Sequence, residues 1–335
     1  MAGKEIYTSY AAFNKALDQV KKSRLVFTTC AGSGLGILRS QDFDTVIIDE
    51  ASQQTEPASL VPLVKKCTKA ILVGDHVQLG AVVQRHAVLL DFNVSLFERL
   101  YKQDSSQSHG IAKVMLDTQY RMHESICRFS SKVFYEDRLQ TNVPNHTRPL
   151  HPSKFPWPAP LKPNDTENRM VFVECSTKEN ALRKSKVNEG QVSLCHRICC
   201  LLRTTAEEIE EKEKAAASVV LEKQSIAVLT PYSGQVELLK TRLSALANVE
   251  VSSIDGFQGR EAEIVIFVTV RCNEHSEIGF LKDLRRMNVA LTRARTGVIV
   301  IGHRLTLTTG KADPESTEVW KSLMSQLVKV PLGLE

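Results

Sequence analysis

The apolar positions of this chain fall into short unbroken runs and amphipathic stretches that follow one another along most of its length. Residues 1–23 place Phe13, Ala16, Leu17 and Val20 at helical spacing and close on Lys21-Lys22-Ser23, which predicts an amphipathic helix. Runs at 24–29, 45–48 and 70–73 predict strands. The run Thr45-Val46-Ile47-Ile48 has no polar alternation, and that is how a strand buried on both faces of a parallel sheet reads. Thr55-Glu56-Pro57 opens a helix expected to reach about residue 66, with a hydroxyl at the cap and an acid and a proline in the first turn. A further helix is expected over 95–101.

After the polar stretch 104–110 the pattern restarts. A strand at 113–116, a helix at 124–135, a strand at 170–174 and a helix at 185–203 are expected in that order. Strands at 225–229, 249–253, 264–270 and 298–301 then alternate with helices at 233–247, 281–291 and 315–328. Alternation of this length implies a parallel sheet covered by helices, hence an α/β fold. The boundary is placed in the polar break, giving domains 1–110 and 111–335. The proline-rich stretch 144–168 reads as a long irregular loop, and the run Glu207-Glu208-Ile209-Glu210-Glu211-Lys212-Glu213-Lys214, in the segment 204–224, as a solvated charged insertion.

Composition narrows the classes without choosing one. The 335 residues are 42% hydrophobic, enough for a sizeable core, and no apolar run approaches the roughly 20 residues needed to span a bilayer. The N-terminus lacks the apolar segment of a signal peptide, and the eight cysteines include no C-x-x-C pair. Reduced thiols in a cytoplasmic or nuclear protein are the expectation, with no membrane partner. A formal charge of +5 permits nucleic acid as a partner but does not demand it.

Candidate chemistry sits in the loops. Asp49 and Glu50 follow the 45–48 strand directly, where open α/β sheets present ligand-binding groups; Asp49 could hold a hydrated Mg²⁺ and Glu50 could polarise a water. The pair reads equally well as a solvated acidic turn. Gly74-Asp75-His76-Val77-Gln78-Leu79-Gly80 is either a glycine-closed turn or a second ligand loop, with Gln78 donating to phosphate and Asp75 supporting the metal. Cys30-Ala31-Gly32-Ser33-Gly34-Leu35-Gly36 is a turn or a backbone that approaches a sugar-phosphate chain. In Asp117-Thr118-Gln119-Tyr120-Arg121 the arginine could neutralise phosphate and the ring stack on a base, against the plainer pairing of Arg121 with Asp117. Asp255-Gly256-Phe257-Gln258-Gly259-Arg260-Glu261 offers an amide and a carboxylate to a ribose or phosphate edge. Arg285, Arg286, Arg293 and Arg295 cannot share one helix face, so Arg293 and Arg295 are expected at a helix end.

This order of motifs, over nearly the whole chain, resembles superfamily 1 helicases of the up-frameshift (nonsense-mediated decay) type. The resemblance implies two RecA-like parallel-sheet domains, with ATP and Mg²⁺ as cofactors and single-stranded RNA or DNA as partner. It assigns Asp49 and Glu50 as the pair that coordinates Mg²⁺ and activates water, and Gln78 as the sensor of the γ-phosphate. Tyr120 becomes the adenine-stacking ring, Arg121 and Arg293 the arginine fingers, and Glu261 a ribose contact. Asp75, Gln258, Gly259 and Arg295 complete the ATP set. Thr29, Ser33, Thr230, Tyr232 and Ser253 fall where the family touches the strand's backbone. Movement would run 5′ to 3′.

One part of the family pattern is missing. Gly-x-x-x-x-Gly-Lys-Thr, whose amides and lysine grip the β- and γ-phosphates, occurs nowhere in the sequence. The first domain is therefore expected to be incomplete, lacking the strand that carries this loop, and the sequence to be the C-terminal part of a longer helicase. Hydrolysis by the chain alone is open, because the lost charge-assisted bonds are worth roughly 1.5–3 kcal/mol each. The competing readings are a motor-dead adaptor that still binds strands and, more distantly, a metal-dependent nuclease built on Asp49 and Glu50.

Overall fold

The computed structural model describes residues 10–103, 110–150, 152–159, 168–204 and 224–333, and the chain divides into two compact units, Met1–Val114 and Met115–Glu335. The polar break at 104–109 and the charged run at 207–217 lie outside the described residues, as do 160–167 of the proline-rich stretch.

In the first unit α1 (Tyr10–Lys22) has no buried side chain, and a one-turn helix α2 (Cys30–Ser33) follows. Two strands, β1 (Thr45–Ile48) and β2 (Lys69–Leu72), pair in parallel from Thr45 against Lys69 to Ile48 against Leu72. Helix α3 (Glu56–Leu63) connects them, and α4 (Arg85–Val88) and α5 (Leu96–Lys102) come after. Val46, Ile48 and Ala51 pack with Phe43, Leu63, Leu72 and Phe97. Ile47, between the buried pair, is 65% exposed, and Ile71 beside it is also exposed. The expected burial of this strand on both faces is therefore wrong. Helices cover one face only, so burial alternates along the strand even though hydrophobicity does not.

Two further expectations fail for a related reason. Residues 24–29 are irregular, with Leu25 and Phe27 exposed, and so are 113–116, with Val114 and Leu116 exposed. An apolar run becomes a strand only when its backbone finds a ladder partner, and among the described residues neither run has one. Thr55 occupies the N-cap of α3 with extended backbone angles, but its side chain makes no capping bond.

The second unit opens with β3 (Thr118–Gln119), helix α6 (Glu124–Phe134) and β4 (Gln140–Thr141), β3 and β4 forming a short parallel pair. Then come β5 (Met170–Glu174), the hairpin β6 (Asn180–Leu182) and β7 (Ser185–Val187), and α7 (Glu189–Arg203). The remainder is β8 (Ile226–Thr230), α8 (Ser233–Leu243), β9 (Val249–Ser253), β10 (Ala262–Val268), α9 (Leu284–Thr292), β11 (Ala294–Gly302), α10 (Arg304–Thr308), α11 (Pro314–Gln326) and β12 (Val328–Val330). Six strands make one sheet in the order β12-β5-β11-β10-β8-β9, every neighbour parallel. The α/β class with parallel sheets expected from the sequence is the class observed.

Central strand β10 is buried along Ile264–Val268 on both faces, as an unbroken apolar run should be. One face packs under α7 and α8 through Ile198, Cys199, Leu202 and Leu239. On the other, the Trp320 ring of α11 lies 6.0 Å from Phe267, and its Nε1 donates to the Leu281 carbonyl at 3.1 Å. The helix expected from 185 starts at Glu189 instead. Residues 185–187 pair with 180–182, and Asn188 caps the helix by accepting from the Gln191 amide at 3.0 Å. Strand β12 was not expected; the last helix stops at Gln326, and Val328–Val330 add to the edge beside β5.

Replacing Trp320, which is fully buried, by alanine is expected to cost about 3–5 kcal/mol in urea unfolding followed by circular dichroism. Ile47→Ala, on the uncovered face of β1, is expected to change stability by no more than about 0.5 kcal/mol.

Candidate functional site

The first unit gathers four of the expected residues on two loops at the C-terminal ends of its strands. The loops are stitched together: the Ala51 amide donates to the Val73 carbonyl at 2.7 Å, and the Asp75 amide to Ser52 Oγ at 3.2 Å. Gly74 makes this approach possible, since a Cβ there would lie 2.9 Å from the Ser52 nitrogen. Asp49 and Glu50 are exposed. Asp49 Oδ1 accepts from the Glu50 amide at 3.0 Å, Glu50 adopts a left-handed φ of 50°, and Gln53 Nε2 donates to its Oε2 at 2.7 Å. Half-buried Gln78 donates its amide to Asp75 Oδ2 at 2.7 Å. No three His, Cys, Asp or Glu side chains among the described residues come together as a metal-binding group. Mg²⁺ is commonly held by one or two carboxylates plus substrate phosphates, and the exposed Asp49 fits that share.

The second unit brings together Tyr120, Arg121, Glu261, Arg293 and Arg295 at the end of the sheet where β10 and β11 begin. Ala262 and Ala294 are partners in the ladder, so Glu261 and Arg293 flank a paired position. Arg121 Nε donates to Glu261 Oε2 at 2.7 Å and Nη1 to the Thr292 carbonyl at 2.9 Å. The plainer reading, Arg121 paired with Asp117, is thus replaced; Asp117 instead accepts from Thr118 Oγ1 at 3.0 Å. Arg295 Nη1 lies 3.3 Å from Glu263 and 3.6 Å from Glu261. Arg293 is buried at the C-cap of α9, donating to the Val289 carbonyl at 3.2 Å and to Thr292 Oγ1 at 3.1 Å, where the helix dipole favours a cation. The expectation that Arg293 and Arg295 sit at a helix end holds for Arg293, whereas Arg295 is the second residue of β11. The hydrogen bond from Arg121 holds the Glu261 carboxyl below its ordinary value against partial burial, and the charges of Arg121, Arg295 and Arg148 add to the effect.

Sequence reasoning missed the groups that hold Tyr120 and Arg121 in place. Gln119 Oε1 accepts from the Arg121 and Met122 amides at 2.8 and 2.7 Å. Arg148 Nε donates to the Arg121 carbonyl at 3.0 Å and its Nη2 to the Tyr120 carbonyl at 3.2 Å. With the backbone fixed from both sides, the Tyr120 ring remains 65% exposed. Gln258 is half-buried, and Gly259 has a φ of 77° with open space around it.

The residues expected along a nucleic-acid strand have mostly local work. Thr29 caps α2 by accepting from the Gly32 amide at 3.0 Å, and Ser33, buried, donates to the Cys30 carbonyl at 2.6 Å. The glycine-rich stretch that holds them is thus a helical turn rather than an open loop. Thr230 and Tyr232 are buried at the C-terminal end of β8. Half-buried Ser253 accepts from the Gly256 amide at 3.1 Å.

Residues 92–305 match a family model described as an AAA domain, and residues 3–86 match a second model of the same description. The chain is 37% identical over 303 residues to the Regulator of nonsense transcripts 1 homolog of Drosophila melanogaster, covering 88% of this chain and 23% of that protein. It is 37% identical over 294 residues to the ATP-dependent helicase NAM7 of Saccharomyces cerevisiae, with coverages of 85% and 28%. The ATP-dependent helicase upf1 of Schizosaccharomyces pombe is 36% identical over 310 residues, with coverages of 90% and 31%. The chain thus spans about a quarter to a third of these relatives' length.

A carboxyl whose value is lowered on folding adds stability above the ordinary glutamate range, and that stability fades as the pH falls through its folded value. Glu261→Gln is therefore expected to be less stable than the parent at pH 7, with the gap closing on acidification below about pH 4 in paired urea titrations. A gap of constant size across that range would place the loss elsewhere than in the ionised carboxylate.

Proposed function

The chain belongs to the AAA-domain superfamily 1 helicases of the up-frameshift type, and we propose that it serves as part of an ATP-hydrolysing motor moving 5′ to 3′ along single-stranded RNA or DNA. The observation that carries the proposal is the gathering of Arg121, Arg293 and Arg295 around Glu261 and Thr292, from segments far apart in sequence. Fixed guanidinium forks match the charge and geometry of a triphosphate better than any other side chain. The names of two relatives as ATP-dependent helicases agree with this use.

In this reading the two compact units are the two motor halves. Asp49 would hold Mg²⁺, and the bound ion would neutralise phosphate charge. Glu50 orients the attacking water, with Gln53 and the left-handed backbone fixing its carboxylate, and Gln78 reports the γ-phosphate. Arg121 and Arg293 stabilise charge that develops on the transferred phosphoryl group. Exposed Tyr120 stacks on the adenine, while Gln258, Gly259, Glu261 and Arg295 line the sugar and phosphates; Asp75 supports the metal end through Gln78. Thr29, Ser33, Thr230, Tyr232 and Ser253 shape the loops bordering the strand, the buried ones by packing and capping.

A second reading is an adaptor that binds strands without hydrolysing ATP. One experiment separates them: hydrolysis of Mg²⁺-ATP measured with and without oligo-uridine or oligo-thymidine, beside strand affinity from fluorescence anisotropy. The motor predicts turnover that rises with added strand and disappears in Glu50→Gln, with strand affinity retained. Strand binding with no turnover in either protein selects the adaptor. A chain that neither binds strands nor hydrolyses ATP contradicts both.

A further inference from the structure

Tyr120 and Arg121 stand between β3 and α6, in a stretch whose backbone is neither helix nor strand. Backbone groups there have no ladder to join and need partners from elsewhere. Two side chains supply them, one on each edge of the same two peptide groups. Gln119 Oε1 accepts from the Arg121 and Met122 amides at 2.8 and 2.7 Å. Arg148 takes the opposite edge, its Nε donating to the Arg121 carbonyl at 3.0 Å and its Nη2 to the Tyr120 carbonyl at 3.2 Å. The peptide groups before and after the Arg121 Cα are therefore both held from both sides. With those two planes fixed, so are the backbone angles of Arg121 and the direction in which its side chain leaves the chain.

Arg148 is itself well placed to act as a fixed point. Pro144 leads into a single 3-10 turn, Asn145–Thr147, closed by the Arg148 amide donating to the Asn145 carbonyl at 3.1 Å. Arg169 Nη1 donates to the Arg148 carbonyl at 2.9 Å. Buried Arg169 precedes β5, and its own carbonyl accepts from the Val298 amide of β11 at 2.8 Å. Strand β11 also carries Arg295, whose carbonyl accepts from the His123 amide at 2.8 Å. The turn that bears Tyr120 and Arg121 is thus tied to β11 by two routes, and β11 starts beside Arg293.

The chemistry of the side chain suits this use. The third guanidinium nitrogen, Nη1, donates to the Thr147 carbonyl at 3.1 Å, so all three nitrogens of Arg148 end on backbone carbonyls. A planar fork spans two successive carbonyls, which the point charge of a lysine cannot do. Displacement of a binding group by about 1 Å can cost on the order of a hundredfold in rate, so fixing the aim of Arg121 has a functional consequence beyond filling hydrogen bonds.

We infer that Arg148 is a positioning residue for the nucleotide site, pinning the peptide groups beside Arg121 so that the Arg121 guanidinium meets phosphate and the Tyr120 ring meets the base. The inference rests on the proposed function for the identity of the ligand. Arg148 itself acts through its two neighbours.

The test uses the full chain, with calorimetric titration of two probes in the presence of Mg²⁺: a non-hydrolysable ATP analogue and inorganic tripolyphosphate, which has no base. Arg148→Met is expected to weaken both about tenfold, because the aim of Arg121 is lost with that of Tyr120. Tyr120→Ala is expected to weaken the analogue alone. Arg148→Lys, which keeps the charge without the fork and serves as the second variant if Arg148→Met does not fold, is expected to weaken both about threefold. The arginine Nε–H resonances of the ligand-free variants distinguish positioning from general support: that of Arg121 is expected to shift or broaden, while that of Arg271, paired with Glu179 elsewhere in the unit, stays in place. Parent-like affinity in the variants, weakened binding with the Arg121 resonance unmoved, or movement of Arg271 as large as that of Arg121 overturns this inference and leaves the motor reading standing. Failure of the unsubstituted chain to bind either probe overturns both.

Discussion

Six strands running the same way give the second unit two unlike ends, and its chemistry follows from that constraint. Parallel strands need crossover connections, so every strand starts at one edge and finishes at the other. The starts of β10 and β11 carry Glu261, Arg293 and Arg295, and the segment before α6 brings Arg121 to the same edge. The finishes of β8 and β10 carry Tyr232 and Arg271, beneath the hairpin and the Gly279 loop. Between the ends lies an apolar layer in which Ile264–Val268 of β10 have at most 1% exposure. Such a layer is too tightly packed to bend without loss, so groups anchored to its rims keep their spacing.

The two rims are built differently. At the arginine edge, charges compensate one another directly: Arg121 with Glu261, and Arg295 with Glu261 and Glu263. These pairs are partly exposed and add little to stability. In the proposed motor they would keep the guanidinium groups oriented until a more strongly charged ligand competes for them. At the opposite edge the ion pair of Arg271 and Glu179 is buried and hydrogen-bonded to Tyr232, a fixed support for the loop above it. Lys186 on the same hairpin lies 3.5 Å from Glu179, and at the tip neither Arg183 nor Lys184 has a carboxylate within ion-pair distance among the described residues.

Much of this architecture was legible in the sequence. Strands β5 and β9 fall on the expected residues; β5 is an apolar run that ends at Glu174, and in β9 the polar Glu250 alternates with Val249 and Val251. Where the reading went wrong, the cause was absence of a partner or of a covering layer. Residues 24–29 and 113–116 look like strands and are not, and Ile47 looks buried on both faces and is exposed. Hydrophobicity records what a segment tolerates, while pairing and coverage depend on the rest of the fold. The second strand of the hairpin at 180–187 fell at the start of the helix expected from 185, since the turn carries Arg183 and Lys184 in place of the glycine or asparagine that marks such turns. At the site, motif order pointed to Arg121, Glu261, Arg293 and Arg295. Gln119 and Arg148 were not readable, because their function is to hold backbone carbonyls and amides, and Arg148 lies in a proline-rich stretch with no periodic pattern.

The central claim is that arginines from separate segments act together on one triphosphate. Nuclear magnetic resonance of the arginine Nε–H groups, recorded while Mg²⁺ and a non-hydrolysable ATP analogue are titrated into the full chain, tests it most directly. The account predicts that Arg121, Arg293 and Arg295 shift together and saturate at one common ligand concentration, with Arg183 unmoved. Saturating shifts confined to other arginines, or no shift in these three at concentrations where the analogue is bound, would contradict it.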